Sequence, residues 1–433
     1  MTESPLALDA GTTRWTCPFC LLLCDDLGVR VSASGASLEL ADGDCASART
    51  GLAQFSGTPS ATLPQIDGQP CDAADAVAAA ARLLAASRQP LFGGLGTDVA
   101  GARALYRLAC ATGAICDPAD GAALMHGVRS LQDRGSFTTT LAEVRSRADL
   151  IVCLGGLPAG AAAEFFARCA VGDGVVAQRH VVLLGGSAAD QAGLAALGSR
   201  RGVTTESITL YGDLFSTVAL LAALLAGRAL RDAWPDLVAL ATRLHAARYA
   251  VIVGETGRLP EHGALLIETV NRIVGTLNAS TRAGAIWLGG GNGAGTVNQV
   301  FTWLSGLPLR SRAGPAGLEH EPLCFDAARL LADAAVDSLL WVSSFDPGCA
   351  PPATTLPLIV LGHPDLAAAA ARDGSVFIPV STPGIGSAGH LFRADGGAVL
   401  PLQPIYRDTL PSVADVLDRV NQALQTLRAG AAA

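Results

Sequence analysis

The 433-residue chain contains no lysine; all 30 basic residues are arginine. That absence excludes a Schiff-base lysine, a Ser-Lys nucleophile pair and a lysine-bearing phosphate loop. There is no Gly-x-Ser-x-Gly elbow and no His-Glu-x-x-His, so neither a serine hydrolase nor a zincin has support. His180, His245, His262, His320, His363 and His390 share no metal-ligand spacing. Charged residues make up only 16%, and a net charge of −8 argues against nucleic acid as a main partner. The longest helical apolar run, near Val218 to Ala226, is far short of the roughly 20 residues that span a bilayer. The opening M-T-E-S-P-L-A-L-D-A has neither the basic stretch nor the apolar core of a signal peptide. The expectation is a soluble, cytoplasmic protein with no membrane contact.

What is abundant is apolar. A 50% apolar content allows substantial cores in two or three domains and points to surface covered by partner subunits. Eleven cysteines in a cytoplasmic chain are expected to be reduced. Cys110, Cys116, Cys153 and Cys169 lie in apolar or strand-like contexts and read as small buried hydrophobes. Cys17, Cys20, Cys24 and Cys45 differ, because the first three fall within C-P-F-C-L-L-L-C-D-D and the fourth follows a hairpin. Four converging thiols suit a soft metal centre. The C-x2-C-x3-C spacing with a distant fourth cysteine favours a [4Fe–4S] cluster over zinc, whose structural sites more often use two C-x2-C knuckles. A degenerate, empty site is the remaining alternative. Asp25 and Asp26 read as turn or cap residues.

After the cysteines, L-G-V-R-V-S-A and S-L-E-L-A-D form a hairpin around Ser34-Gly35-Ala36, with a short helix from about Ala46. Gly57 to Gln69 reads as a connector. A helix over Ala73 to Ala86 and a strand at Pro90 to Gly93 follow. Further apolar strands begin near Asp149, His180, Ala250, Ser338 and Pro357, several ending in glycine. Short continuous apolar strands between helices indicate parallel sheets covered on both faces, where ligands bind at carboxyl ends. A closing amphipathic helix is expected over Pro411 to Leu427.

Three segments carry a family resemblance. Residues 17–26 look like the N-terminus of the B-type subunit of formylmethanofuran dehydrogenase, of the molybdopterin oxidoreductase superfamily. G-N-G-A-G-T-V-N-Q-V-F-T-W-L-S-G-L-P, Gly291 to Pro308, resembles the family's Asn-Gln-Val, Thr-Trp and Gly-x-Pro landmarks. P-G-I-G-S-A-G-H-L-F-R-A-D-G, Pro383 to Gly396, is the third match. The resemblance implies an α/β fold: a small N-terminal β-rich cysteine-cluster domain (1–62) and two doubly wound domains (63–120 with 296–433, and 121–295). The superfamily's C-terminal β-barrel has no counterpart in this length.

The resemblance also locates what is missing. The family places a Cys or selenocysteine ligand for molybdenum or tungsten before a histidine; here Met125 precedes His126. The family's arginine falls on Gly289. A thioether carries no charge and holds a high-valent metal poorly. His126 is thereby vestigial, no catalytic residue is assigned, and a molybdenum or tungsten pterin is not expected. Asp346-Pro-Gly matches a family turn that contacts a pterin when one is bound, and otherwise reads as an ordinary turn.

Within the family, the best match is the lineage found in a formyltransferase/hydrolase complex of methylotrophic bacteria. It implies a scaffold subunit that has lost redox chemistry, partnered by A-, C- and D-type subunits. That complex moves formyl groups from formyl-tetrahydromethanopterin to a methanofuran analogue and hydrolyses them to formate. Two alternatives stand beside it: an active dehydrogenase subunit with an altered ligand set, and an iron–sulfur electron carrier.

Overall fold

The structure is a computed structural model describing residues 11–35, 37–55, 60–231 and 234–432. The opening ten residues, Ala36 of the expected hairpin turn and 57–59 of the expected connector lie outside the described residues.

Three antiparallel strands in order 1-2-3 open the chain: β1 (Thr13–Trp15), β2 (Leu27–Val31) and β3 (Leu38–Asp42). Helix α1 (Ala46–Leu52) follows at the expected place. The expected connector is partly structured, a correction to the sequence reading. β4 (Gln65–Ile66) and β5 (Gln69–Pro70) form a tight hairpin at a sheet edge, because β4 pairs with a later strand.

Next come α2 (Ala73–Ala86), β6 (Pro90–Gly96), α3 (Val99–Thr112), β7 (Ile115–Cys116), α4 (Gly121–Arg134) and α5 (Leu141–Arg147). A second run comprises β8 (Leu150–Leu154), α6 (Phe165–Arg168), β9 (Arg179–Leu184), α7 (Ala188–Gly198), β10 (Val203–Ile208), α8 (Leu214–Leu225) and α9 (Pro235–Ala246). It continues through β11 (Ala250–Glu255), α10 (Gly263–Leu277), β12 (Ala283–Leu288) and α11 (Ala294–Ser305). The last run is β13 (Ser311–Gly314), β14 (Gly317–His320), α12 (Ala327–Ala332), β15 (Ser338–Ser343), β16 (Leu358–Gly362) and α13 (Ala367–Ala370). β17 (Ser375–Pro379), β18 (Gly389–Phe392), β19 (Val399–Leu402) and α14 (Val413–Ala432) close the chain.

The chain divides into two compact units. Unit 1 takes the residues up to Gly121, Gly290–Arg393 and those from Ala398 onward; unit 2 takes Ala122–Gly289 and Ala394–Gly397. Unit 1 carries a nine-stranded sheet, order 14-13-7-6-15-16-17-4-5, whose centre from β7 to β17 is parallel. Unit 2 carries a five-stranded all-parallel sheet, order 10-9-8-11-12. Every residue of β8, β15 and β16 is buried, as expected of parallel strands covered on both faces. Among the described residues no sheet closes into a barrel.

The expected strands are present, but β1, β7, β10, β12, β13, β14, β17, β18 and β19 were missed. β10, Val-Thr-Thr-Glu-Ser-Ile, is an edge strand with polar exposed positions, so it shows no continuous apolar run. Cys116, Cys153 and Cys169 are buried as expected, whereas Cys110 is exposed. The reason is helical phase: the buried residues of α3 are Gly101, Ala102, Ala104, Leu105, Leu108 and Ala109, and position 110 turns outward.

Candidate functional site

The N-terminal segment turns sharply on itself. The Cys17 amide donates to the Cys24 carbonyl (2.9 Å), and Leu23, at φ 45°, donates to the Cys20 carbonyl (3.3 Å). Cys45 caps α1, its Sγ accepting from the Ala48 amide (3.4 Å). Trp15 ties the segment to the third family landmark, its Nε1–H donating to the Gly384 carbonyl (2.7 Å). All four cysteines are buried and none forms a disulfide. Burial pushes the Cys17 thiol well above its ordinary pKa, and the neighbouring Cys20, Cys45 and Cys24 push it further. A raised pKa keeps the thiol protonated in the absence of a metal cation. Among the described residues no three His, Cys, Asp or Glu side chains are arranged to hold a metal ion.

The positions expected to have lost redox groups lie in unit 2. Met125, on α4, is 3% exposed. His126 follows it and packs against the start of α10, where a Cβ on Gly263 would come within 2.9 Å of its ring. Gly289 follows β12. A Cβ there would stand 2.1 Å from Thr256 Oγ1, and Thr256 is itself buried. Position 289 is thus closed by packing to any larger side chain.

Both parallel sheets contain a topological switch point, where strand order reverses and open α/β sheets ordinarily bind ligands. In unit 2 it lies between β8 and β11. The turn after β8 is crossed by the Arg258 guanidinium, which lies so close that a Cβ on Gly156 would meet Nη2 at 2.2 Å. Arg258 donates to the Leu157 carbonyl (2.9 Å) and pairs with Glu255 (3.2 Å) and the buried Asp190 (3.3 Å). The carboxylates in turn accept the turn's amides: Leu157 N–H to Asp190 (2.9 Å) and Ala159 N–H to Glu255 (3.2 Å). Burial works to raise the Asp190 pKa, but hydrogen bonds from Ser187, Leu157 and Arg258 outweigh it and bring it to about 2.

In unit 1 the switch point lies between β6 and β15. Here the loop before α11 closes over the strand ends. Gly293 (φ 77°) passes so near the β6–α3 turn that a Cβ would lie 2.5 Å from the Thr97 carbonyl oxygen. Asn292, also at positive φ (50°), donates from Nδ2 to Ser343 Oγ (3.3 Å). Asp98 caps α3, accepting from Gly101 N–H (3.0 Å) and His390 N–H (3.4 Å). Asp346 forms its own turn, accepting from Gly348 N–H (2.7 Å). Asn298, of the Asn-Gln-Val landmark, is structural here: its Oδ1 accepts from Leu309 N–H (3.0 Å).

The chain is 33% identical over 342 residues to the B subunit of the formyltransferase/hydrolase complex Fhc of Methylorubrum extorquens, covering 77% of this chain and 89% of that one. The chain belongs to the family of Fhc B subunits. A chain in the crystal structure of the M. extorquens formyltransferase/hydrolase complex (FhcABCD) with methylofuran is similar in fold. The TM-score is 0.73 at 30% identity, covering 85% of this chain and 100% of that one. More distantly, the B subunit of a tungsten-containing formylmethanofuran dehydrogenase 2 of Methanocaldococcus jannaschii is 25% identical over 417 residues, 89% of this chain and 91% of that one. No family model matches the chain. Among the described residues, no helix is long and apolar enough to cross a membrane.

Sequence reasoning singled out the cysteines and positions 125, 126 and 289, and passed over Asp190, Glu255, Arg258 and Asn292. A partial signal existed for Asp190, since Ser187-x-x-Asp190 is a capping box. Arg258 is brought to Asp190 only by the sheet order.

Proposed function

We propose that this member of the Fhc B-subunit family is a non-redox scaffold subunit of a formyltransferase/hydrolase complex. In this reading formyl-tetrahydromethanopterin is converted to formate through formyl-methanofuran, as a step of formaldehyde oxidation. The A-, C- and D-type partner subunits carry the chemistry. The observation that carries the reading is the joint loss at positions 125 and 289. Met125 is a buried thioether where a charged metal ligand is required, and Gly289 is backed by Thr256 where an arginine would stand. The pterin implied by the superfamily does not fit these residues, and no step is routed through one.

Cys17, Cys20, Cys24 and Cys45 are proposed as an inherited site in a cysteine-bearing module over residues 1–62. The remaining proposed modules are 63–120 with 296–433, and 121–295. A [4Fe–4S] cluster held by the four cysteines is structural in this reading, having no redox centre to serve. The proposed location is the cytoplasm. Co-expression with A-, C- and D-type subunits tests the function. A stable complex that hydrolyses formyl groups without reducing a dye supports it. Formyl-dependent dye reduction supports instead the active-dehydrogenase reading suggested by the tungsten-containing relative, and an EPR-active cluster in the isolated subunit favours an electron carrier.

A further inference from the structure

An open parallel sheet offers a dinucleotide-type cofactor two things at its switch point: free backbone amides that take its phosphates, and room left by glycine. In unit 2 both are present in sequence, as Leu154-Gly155-Gly156-Leu157 after β8, and both are used up. The amides of Leu157 and Ala159 donate to the carboxylates of Asp190 (2.9 Å) and Glu255 (3.2 Å). The space above Gly156 holds the Arg258 guanidinium, which bridges the same two carboxylates (3.3 and 3.2 Å). Asp190 is 8% exposed and also accepts from Ser187 N–H (2.8 Å) and Ser187 Oγ (2.7 Å), so it is built in rather than passing by.

We infer that Asp190 and Glu255, clamped by Arg258, stand in for the anionic group of a dinucleotide-type cofactor, so that unit 2 folds without such a cofactor and excludes one. The inference rests on the scaffold reading only for the expectation that a cofactor once belonged here. Its content is an internal anion satisfying the amides that a bound phosphate would otherwise take. An unpaired buried amide costs about 1–3 kcal/mol, so a cofactor-free sheet of this kind gains from such a replacement. Arg258 then has a second role: it neutralises carboxylates that would otherwise crowd the turn. Together they form a closed triad with no positive charge left to offer a ligand.

The triad makes a gain-of-function test available. Removing the carboxylates in Asp190→Ala/Glu255→Ala leaves Arg258 and the Leu157 and Ala159 amides facing the turn without an acceptor, which is a site for an anion. The full chain, purified in its complex, is dialysed against radiolabelled inorganic pyrophosphate. The wild type is expected to bind at least tenfold less than the double variant, which approaches one pyrophosphate per chain. Binding near one per chain by the wild type, or none by the folded double variant, overturns the inference. Should the double variant fail to fold, Glu255→Ala alone carries the test by amide hydrogen exchange. Exchange at Ala159 should rise tenfold or more while Leu157, still held by Asp190, is unchanged; equal exchange at Ala159 in both proteins also overturns it. Both readouts compare wild type with variant in the same assembly and neither measures formyl turnover or dye reduction, so failure of the scaffold reading and failure of this inference are separable.

Discussion

The two switch points reach the same end by different physics. In unit 2 the crevice between β8 and β11 is closed by charge: one guanidinium and two carboxylates, with the carboxylates holding the turn's amides. In unit 1 the crevice between β6 and β15 is closed by backbone approach and neutral groups, with Gly293 against Thr97 and Asn292 against Ser343. A charged closure answers to pH and to removal of one partner. A steric closure answers to added volume. The difference teaches that a switch-point crevice can be closed by charge or by backbone approach, according to what its adjoining loops bring within reach.

The largest effect should come from volume in unit 1. Gly293→Val places a branched side chain on the Thr97 carbonyl at a positive φ, and should cost about 3 kcal/mol or more in urea unfolding. A cost under about 1 kcal/mol would show that the loop is not held against β6. Next is the charged closure. Asp190→Ala leaves the Leu157 and Ser187 amides without their acceptor and removes one partner of the exposed Arg258, and should lower stability by about 2 kcal/mol. If Arg258→Ala in the same background restores stability, the ion pair rather than the capping box dominates.

The pH dependence should divide the units. Asp190 has a folded pKa lowered to about 2, so its contribution is complete above the ordinary carboxylate value near 3.9 and is lost as pH falls toward 2. About 2 kcal/mol should disappear across that window, seen as faster amide exchange around Leu157. Equal acceleration at Asn292 in unit 1 would remove the contrast. The smallest effect is at Gly289. Gly289→Ala should cost about 1 kcal/mol, and less than half of that in a Thr256→Ala background, because Thr256 Oγ1 is the atom a Cβ would meet. Additive costs would place the strain elsewhere.

How much of this was legible in the sequence follows from the range of each interaction. The strands at Ala250 and Ser338 announce themselves by local apolar runs, and α2 by its alanines, because those signals need only neighbours in sequence. Met125 was singled out by the segment G-A-A-L-M-H-G-V, where it precedes His126, and Gly289 by counting back from Asn298 of the family landmark. Arg258 and Asp190 are 68 residues apart, and only the 10-9-8-11-12 strand order brings them together. The same holds for Asn292 and Ser343, 51 residues apart. β10 escaped notice because an edge strand has one polar face, and Cys110 because its neighbours' apolarity says nothing of its own phase on α3.

The central claim, that this subunit holds the fold of a redox enzyme without its redox centre, is tested most directly by elemental analysis. The complex is purified anaerobically and assayed together for tungsten, molybdenum, iron and zinc per chain. The account predicts tungsten and molybdenum at background levels, whether or not iron accompanies the four cysteines. One tungsten or molybdenum per chain, released together with a pterin, would contradict it.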